Sequence, residues 1–174
     1  RTVGGEYDAT YCRVGMAVTT AAVLRHQFEA PGSTDFWVHF EVSFLNRPNS
    51  TASQFMRLID STTGQVVLQL DYDAVGPPPL ATLEYWNGSA FADVSGSDAF
   101  SQYASAADRY TIDIHCKIHN TEGRFAWYKN GSLKGELTGD TLFTGFTMVD
   151  RLELTNPTQT STTSTTSTVF SQVV

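Results

Sequence analysis

The stretch FWVHFEVSFL, residues 36–45, alternates apolar and polar side chains along almost its whole length. On an extended chain, successive side chains point to opposite faces. One face would carry Phe36, Val38, Phe40, Val42 and Phe44. The other would carry Trp37, His39, Glu41 and Ser43. The stretch therefore predicts a half-buried β-strand with an apolar inner face and a polar outer face.

Further alternating segments flank short turn sequences along the chain. Thr62-Thr63-Gly64 separates QFMRLIDS from QVVLQLDYD, and Asn87-Gly88 separates ATLEYW from AFADV. Asn130-Gly131 separates RFAWYK from LKGEL, and a five-residue connection ending in Gly123 joins YTIDIHCKI to RFAWYK. Asn-Gly is a strong hairpin signal because both central residues of a type I′ turn need positive φ. These segments predict four antiparallel hairpins.

The remaining segments complete an all-β prediction. MVDRLELT and TVFSQVV add strands to give roughly ten to twelve in all, and only AFSQYASAADRY, residues 99–110, suggests a short helix or turn. Residues 76–79, Gly-Pro-Pro-Pro, predict a stiff extended connection. The Ser/Thr-rich segment 160–168 predicts a solvated loop or an edge strand. We expect two antiparallel sheets packed face to face, with a closed barrel as the alternative.

Length and chain ends suggest one domain taken from a larger protein. The chain has 174 residues, of which 41% are hydrophobic, enough for a single globular core. It begins with Arg1 rather than Met and ends within an apolar run at Val174. We expect residues 1–174 to form one domain, excised from a longer polypeptide.

The charge pattern argues against two classes of partner. Eighteen acidic residues outnumber eleven Lys and Arg, so the net charge is −7, and the basic residues are scattered singly. Binding to a nucleic-acid backbone needs a positive surface, so we expect no nucleic-acid partner. The apolar runs are also too short to span a bilayer, and we expect no membrane insertion.

The two cysteines, Cys12 and Cys116, each lie in register with apolar neighbours. This pattern favours two buried thiols that act as small hydrophobic side chains. A disulfide would need their Cα atoms within ~7 Å, which the sequence leaves open.

Four late segments, in this order, resemble the second half of concanavalin A-like, laminin G-type jelly-roll domains: RYTIDIHCKIH, GRFAWYKNGSLKGEL, FTMVDRLELTN and STVFSQVV. Residues 128–131, Tyr-Lys-Asn-Gly, match the hairpin of that family. Residues 152–156 match the next strand, with Thr-Asn where Gly often stands. The resemblance implies a two-sheet jelly-roll sandwich, in which the hairpin at 123–137 builds the fold rather than a site.

Two terminal stretches narrow the resemblance. Tyr7–Arg13 and Phe170–Val174 are similar to the first and last strands of concanavalin-like modules in tailed-bacteriophage virion proteins. This likeness implies a location on a virion tail or capsid surface, or otherwise outside a cell. It also implies a homo-oligomeric assembly with other virion or surface subunits.

Catalytic patterns are weak. Laminarinase-like members of the superfamily carry a Glu-x-Asp-x-x-Glu strand, which this sequence lacks. Asp71 and Asp73 are the nearest pair, on one strand face with Cα atoms ~6.6 Å apart. A retaining glycosidase needs carboxyl groups ~5–5.5 Å apart, so the pair stays open, although a solvated strand end is the simpler interpretation. We expect no enzyme.

Metal-binding patterns are equally weak. His115 and His119 would lie ~13 Å apart on one strand, whereas nitrogen atoms that share a zinc ion lie within ~4 Å of each other. Asp71, Asp73 and Asp93 are weak calcium candidates, because they lack the spacing of an EF-hand loop. We therefore expect no cofactor, with calcium as the exception to test.

Aromatic residues make up 12% of the chain and suggest a sugar-binding surface. Trp86, beside Asn87 at a predicted turn, is the first candidate for an exposed ring. Trp37 with His39 on the polar strand face is the second, although cross-strand pairing is the favoured role for His39. Trp127 is expected in the core. The favoured function is non-enzymatic binding of a cell-surface glycan; a purely structural decoration domain and a divergent glycan hydrolase are the alternatives.

Overall fold

Twelve β-strands form the regular structure of residues 11–15, 23–28, 32–44, 53–73, 80–99, 110–155 and 167–171, the parts of the chain that the structure, a computed structural model, describes. In chain order they are β1 (Tyr11–Gly15), β2 (Val23–Gln27), β3 (Asp35–Phe44), β4 (Ser53–Asp60), β5 (Gln65–Asp73), β6 (Leu80–Trp86), β7 (Phe91–Ala99), β8 (Tyr110–Lys117), β9 (Gly123–Lys129), β10 (Ser132–Gly139), β11 (Arg151–Thr155) and β12 (Ser167–Ser171).

The strands form two six-stranded antiparallel sheets. The first sheet has the order β1-β12-β3-β8-β9-β10, and the second has the order β2-β11-β4-β5-β6-β7. Among the described residues, no helix is long and apolar enough to cross a membrane.

The hydrophobic core lies between the two sheets. On β3, Val38 and Phe40 pair with Ile114 and Ile112 of β8, and all four side chains are buried. They join one cluster with side chains from the second sheet, including Leu58, Leu70, Leu83, Leu152 and Leu154. Trp127 is also fully buried, as expected. The prediction of an all-β, two-sheet sandwich is therefore confirmed.

Two predicted turns are confirmed and one differs in detail. Gly64 has φ of 77° between β4 and β5, and Asn130 and Gly131 have φ of 51° and 74°, as a type I′ turn requires. Asn87 does not have positive φ; only Gly88 does, at 95°. The β6–β7 loop spans residues 87–90. Within it, the Asn87 Oδ1 atom accepts hydrogen bonds from the backbone N–H groups of Ser89 and Ala90, so the Asn87 side chain stabilises the turn.

Several segment predictions fall partly outside the described residues. β7 continues to Ala99 and β8 begins at Tyr110, while residues 100–109 of the predicted helix or turn are not described. The Gly-Pro-Pro-Pro connection at 76–79 and residues 160–166 also lie outside. Residues 167 and 168 of the Ser/Thr-rich segment begin β12, which lies between β1 and β3 rather than at a sheet edge.

Cys116 is a free, fully buried thiol whose pKa is raised, first by burial and then by the charge of Asp35. This matches the expectation for a small core side chain. The side-chain environment of Cys12 lies outside the described part of the chain.

Glycine allows the two sheets to approach closely where β10 meets β7. A Cβ atom placed on Gly135 would lie 2.1 Å from the backbone oxygen of Ser95 and 2.3 Å from that of Val94. Backbone atoms on the facing strand cannot rotate away as a side chain can. Gly135 is therefore required for this contact.

Replacing Gly135 by Ala should destabilise the fold by about 2–3 kcal/mol, because the added methyl group forces the two strands apart. Chemical denaturation monitored by tryptophan fluorescence measures the change. The control, Ser132→Ala, alters an exposed position on the same strand and should shift stability by less than ~0.5 kcal/mol. Equal midpoints for Gly135→Ala and the unmodified chain would show that the contact is not needed.

Candidate functional site

The outer face of the first sheet carries an exposed tryptophan. Trp37 is 53% exposed, and its indole stacks on the imidazole of His115, its cross-strand partner on β8. The ring centroids are 4.5 Å apart and the planes differ by 3°. The His115 side chain is only 12% exposed, which places the indole on the solvent side of the stack. One indole face is thus held against the His115 ring, and the exposed part of the indole is available to a ligand.

Both ring nitrogens of His115 have hydrogen-bonding partners. Its Nε2 atom lies 2.9 Å from Asp35 Oδ1, and its Nδ1 atom lies 3.5 Å from a guanidinium nitrogen of Arg124. These partners assign the proton to Nε2, which donates to the Asp35 carboxylate, and leave Nδ1 as an acceptor. The ring that supports Trp37 therefore has a fixed orientation.

Tyr128 on β9 is a second aromatic ring beside Trp37. The two ring centroids are 5.7 Å apart, with the planes tilted by 40°. Arg124 donates a 2.8 Å hydrogen bond to the Tyr128 hydroxyl and another, of 2.5 Å, to Glu136. Burial disfavours the charge of Arg124, but Glu136 and then Tyr128 outweigh this effect and raise the pKa of Arg124. The guanidinium thus stays charged while it positions Tyr128.

His39 lies two residues from Trp37 on the same strand face. Its Nδ1–H group donates a 2.6 Å hydrogen bond to Asp113 Oδ1, and both side chains are about one-third exposed. We refer to Trp37, His39, Asp113, His115 and Tyr128 as the Trp37 platform. It combines an apolar ring face with nearby hydrogen-bonding groups.

Trp86 and Asn87 lie at the end of the second sheet, not with Trp37 and His39. Trp86 is only half-buried and packs edge-on against Phe91, and its indole N–H donates a 3.1 Å hydrogen bond to the backbone oxygen of Thr144. The prediction that Trp86 is more exposed than Trp37 is therefore wrong, since Trp37 is the more exposed ring. The cause is the 140–150 segment, which contacts Trp86 from a distant part of the sequence.

The candidate metal ligands do not come together. β8 ends at Lys117, so His119 lies in the following loop. There its Nδ1 atom accepts hydrogen bonds from the backbone N–H groups of Thr121 and Glu122. The strand predicted through Ile118 is thus one residue shorter. Among the described residues, no group of three His, Cys, Asp or Glu side chains is arranged to hold a metal ion. Calcium binding by Asp71, Asp73 and Asp93 stays a prediction.

A second polar surface lies on the outer face of the second sheet. Gln54 donates a 3.1 Å hydrogen bond to Asp71, and Gln69 donates a 2.6 Å hydrogen bond to Glu84. Burial, then the charges of Glu84 and Asp73, raise the pKa of Asp71, although the hydrogen bond from Gln54 opposes them. The pair of interest is therefore Asp71 with Glu84 on the neighbouring strand, rather than Asp71 with Asp73.

Sequence reasoning missed Asp113, Tyr128, Arg124 and Glu84. Asp113 alternates with the apolar residues of YTIDIHCKI, so its outward position was readable from the sequence. Its partner was not, because the pairing of Asp113 with His39 depends on the register between β3 and β8.

By sequence, the chain matches no protein-family model and no curated protein. By structure, it is similar to a mutant of alginate lyase Aly36B in complex with alginate trisaccharide, with a TM-score of 0.67, 10% identity, and coverage of 92% of this chain and 79% of that chain. The globular domain of T. cruzi calreticulin gives a TM-score of 0.63 at 10% identity, covering 91% of this chain and 70% of that one.

The carbohydrate-binding module CBM66 from Bacillus subtilis gives a TM-score of 0.54 at 12% identity, with 95% of both chains covered. Identities this low support the fold alone. The chain is therefore a β-sandwich of the jelly-roll type, as the sequence resemblance implies.

Replacing Asp71 by Asn should stabilise the protein at neutral pH. Because its pKa is raised, the folded state binds the Asp71 proton more tightly than the unfolded state. The ionised carboxylate therefore reduces stability once the pH rises through the folded pKa, and the effect is absent below the ordinary value of 3.8. Thermal unfolding at several pH values should show a gain for Asp71→Asn at pH 7 that disappears at acidic pH.

Asp98 is a control for which the pKa shift, and therefore the expected change in stability, has the opposite sign. Burial opposes ionisation of Asp98, but Lys129 and then Lys134 lower its pKa, so its carboxylate stabilises the fold above pH 3.8 and that stability is lost as the pH falls. Asp98→Asn should therefore destabilise the protein at pH 7. A loss of stability for Asp71→Asn at pH 7 would contradict the raised pKa of Asp71.

Proposed function

We propose that the chain is a non-enzymatic carbohydrate-binding module and that the Trp37 platform contacts the sugar. The observation that carries the proposal is the fixed indole of Trp37, which stacks on His115 and leaves its outer face exposed. A pyranose ring has an apolar C–H face that can cover such an indole and hydroxyl groups that need hydrogen-bond partners. The His39–Asp113 pair and the Tyr128 hydroxyl lie where they can supply them.

The platform is preorganised, which favours binding. Trp37 is supported by His115, and Arg124 hydrogen-bonds both Tyr128 and Glu136. Side chains held in one orientation lose less conformational entropy when a ligand binds. The module and lyase neighbours, whose names mention carbohydrate binding or an alginate oligosaccharide, add support at the level of fold.

For the ligand, we propose a glycan on a cell surface. For the location, we propose a bacteriophage virion surface or another extracellular site, with the chain as part of a homo-oligomeric assembly. These finer statements rest on the resemblance of Tyr7–Arg13 and Phe170–Val174 to strands of phage virion modules.

Replacing Trp37 by Ala should weaken glycan binding at least about tenfold, or ~1.4 kcal/mol, because the sugar loses its stacking surface. A glycan array identifies the ligand, and titration calorimetry measures the affinity. Trp86→Ala is the matched control: it should lower the unfolding midpoint, because Trp86 packs on Phe91, but leave glycan affinity unchanged.

Three outcomes would contradict the proposal. If no oligosaccharide on the array is retained, or if Trp37→Ala and Trp86→Ala bind alike, the platform is not a sugar site. If Trp37→Ala instead lowers the molecular mass in solution without affecting any glycan, the platform is a subunit interface. The last result would support the structural decoration alternative.

A second candidate function is glycan cleavage on the outer face of the second sheet. The raised pKa of Asp71, whose neighbour on the next strand is Glu84, is the observation that favours it, because a general acid needs a pKa above that of an ordinary carboxyl group. Asp71 pairs with Thr82, two residues from Glu84 on β6, so the two carboxyl groups lie on one face.

Reducing-sugar release from glycans retained on the array tests for cleavage. If the second candidate function holds, Asp71→Asn and Glu84→Gln should each reduce the rate at least about a hundredfold, as expected for loss of acid–base catalysis. Glu122→Gln, at a 75% exposed side chain away from this face, should have no effect. Absence of any cleavage by the unmodified chain would rule out this function for those glycans.

A further inference from the structure

Three arginines gather on the outer face of the second sheet, on its β2-β11-β4 side. Arg25 and Arg57 pair with Glu153 from opposite sides, and Arg151 lies two residues from Glu153 on the same strand face. The neighbours Leu152 and Leu154 point into the core, which confirms that the arginines face outward. We refer to Arg25, Arg57, Arg151 and Glu153 as the arginine cluster.

The arginine cluster has more positive than negative charge. Arg25 Nε lies 2.7 Å from Glu153 Oε1, and Arg151 Nε lies 3.5 Å from the same oxygen. Glu153, only 5% exposed, thus contacts the guanidinium groups of Arg25 and Arg151 and has Arg57 as its neighbour on β4. The protein as a whole carries a net charge of −7, so this surface differs in sign from the rest of the molecule.

The other nearby carboxylates already accept hydrogen bonds from residues outside the arginine cluster. Asp150, next to Arg151 in sequence, accepts hydrogen bonds from the backbone N–H and the hydroxyl of Ser61, and its charge also interacts with that of Arg151. Asp71 accepts its hydrogen bond from Gln54, whose own oxygen accepts one of 3.1 Å from Arg57. Gln54 therefore stands between the arginine cluster and the acidic residues of β5 and β6.

Two buried donors in the arginine cluster form no hydrogen bond with any described residue. They are the Nε–H groups of Arg57 and Arg151, and the Arg151 group has only the 3.5 Å ion-pair contact with Glu153. An unsatisfied buried donor costs ~1–3 kcal/mol, and more when it is charged, so such groups in a native protein need an explanation. An anionic ligand on the exposed parts of the guanidinium groups would balance the charge that these groups leave uncompensated.

We propose that the arginine cluster binds the carboxylate of an acidic sugar, a uronate residue of a polysaccharide. A guanidinium group presents paired N–H donors that match the two oxygens of a planar carboxylate, and three such groups surround the site. Asp71 and Glu84, beyond the two glutamines, repel the anion and accept hydrogen bonds from sugar hydroxyls. The positive charges at one side of the sheet and the negative charges at the other thus set the orientation of the bound sugar.

This site is separate from the Trp37 platform, because the two lie on outer faces of opposite sheets. Its test does not depend on the proposed function. A chain that binds uronates through the arginine cluster and has no ligand at Trp37 would support the further inference alone.

The experiment uses the full chain and three probes: sodium polygalacturonate, the same polymer fully methyl-esterified, and dextran sulfate. We expect polygalacturonate to bind in titration calorimetry at low salt and to weaken as salt is added, because the contact is ionic. The ester has the same backbone without charge and should bind at least about tenfold more weakly.

Arg57→Gln and Arg151→Gln should each weaken polygalacturonate binding at least about tenfold. Arg25→Gln alters a 66% exposed side chain, whose charge is screened by solvent, and should cause a smaller loss, about threefold. Lys117→Gln is the matched control, since it removes one positive charge from the opposite sheet and should change affinity less than twofold. Trp37→Ala should retain polygalacturonate binding.

Equal affinity for the acid and the ester would overturn the proposal, and so would equal losses in Lys117→Gln and Arg57→Gln. Binding of dextran sulfate without binding of polygalacturonate would overturn the assignment of a carboxylate. If Arg57→Gln and Arg151→Gln fail to fold, as judged by circular dichroism, the comparison of Arg25→Gln with Lys117→Gln decides, and equal affinities for these two variants would overturn the proposal.

Discussion

The pairing of β3 with β8 is the constraint on which the rest of the structure depends. Its register places Val38 opposite Ile114 and Phe40 opposite Ile112, and these side chains fill the space between the sheets. The same register places Trp37 opposite His115 on the outside. Because side chains alternate with a period of two, a slip of one residue would exchange the two sets. Burial of the apolar set therefore fixes the geometry of the exposed one.

The two outer faces carry different chemistry on the same rigid support. The first presents an aromatic surface with His39 and His115 each bonded to a carboxylate. The second presents charges in order, with arginines on β2, β11 and β4, glutamines on β4 and β5, and carboxylates on β5, β6 and β7. Side chains on paired strands keep their positions better than side chains on loops, so both faces are suited to recognition.

Local patterns predicted the strands and hairpins well because they report local geometry. The Asn130-Gly131 turn needs only two residues with positive φ, and both have it. The Asn87-Gly88 turn differs because the Asn87 side chain bonds to the loop itself. The predicted exposure of Trp86 was wrong because the backbone oxygen of Thr144, distant in sequence, accepts a hydrogen bond from the Trp86 indole N–H group. Local sequence predicts what a residue prefers, not which distant segment covers it.

The sequence by itself determined which side chains of β3 and β8 point inward and which point outward, since alternation is enough to assign them there. It also identified Trp37 and His39 as outward-facing. Only the tertiary structure decided that Trp37 stacks on His115, that His39 bonds to Asp113, and that Arg25 and Arg57 flank Glu153. The reason is that strand order and register follow from the packing of the whole core, which brings together residues that no local pattern connects.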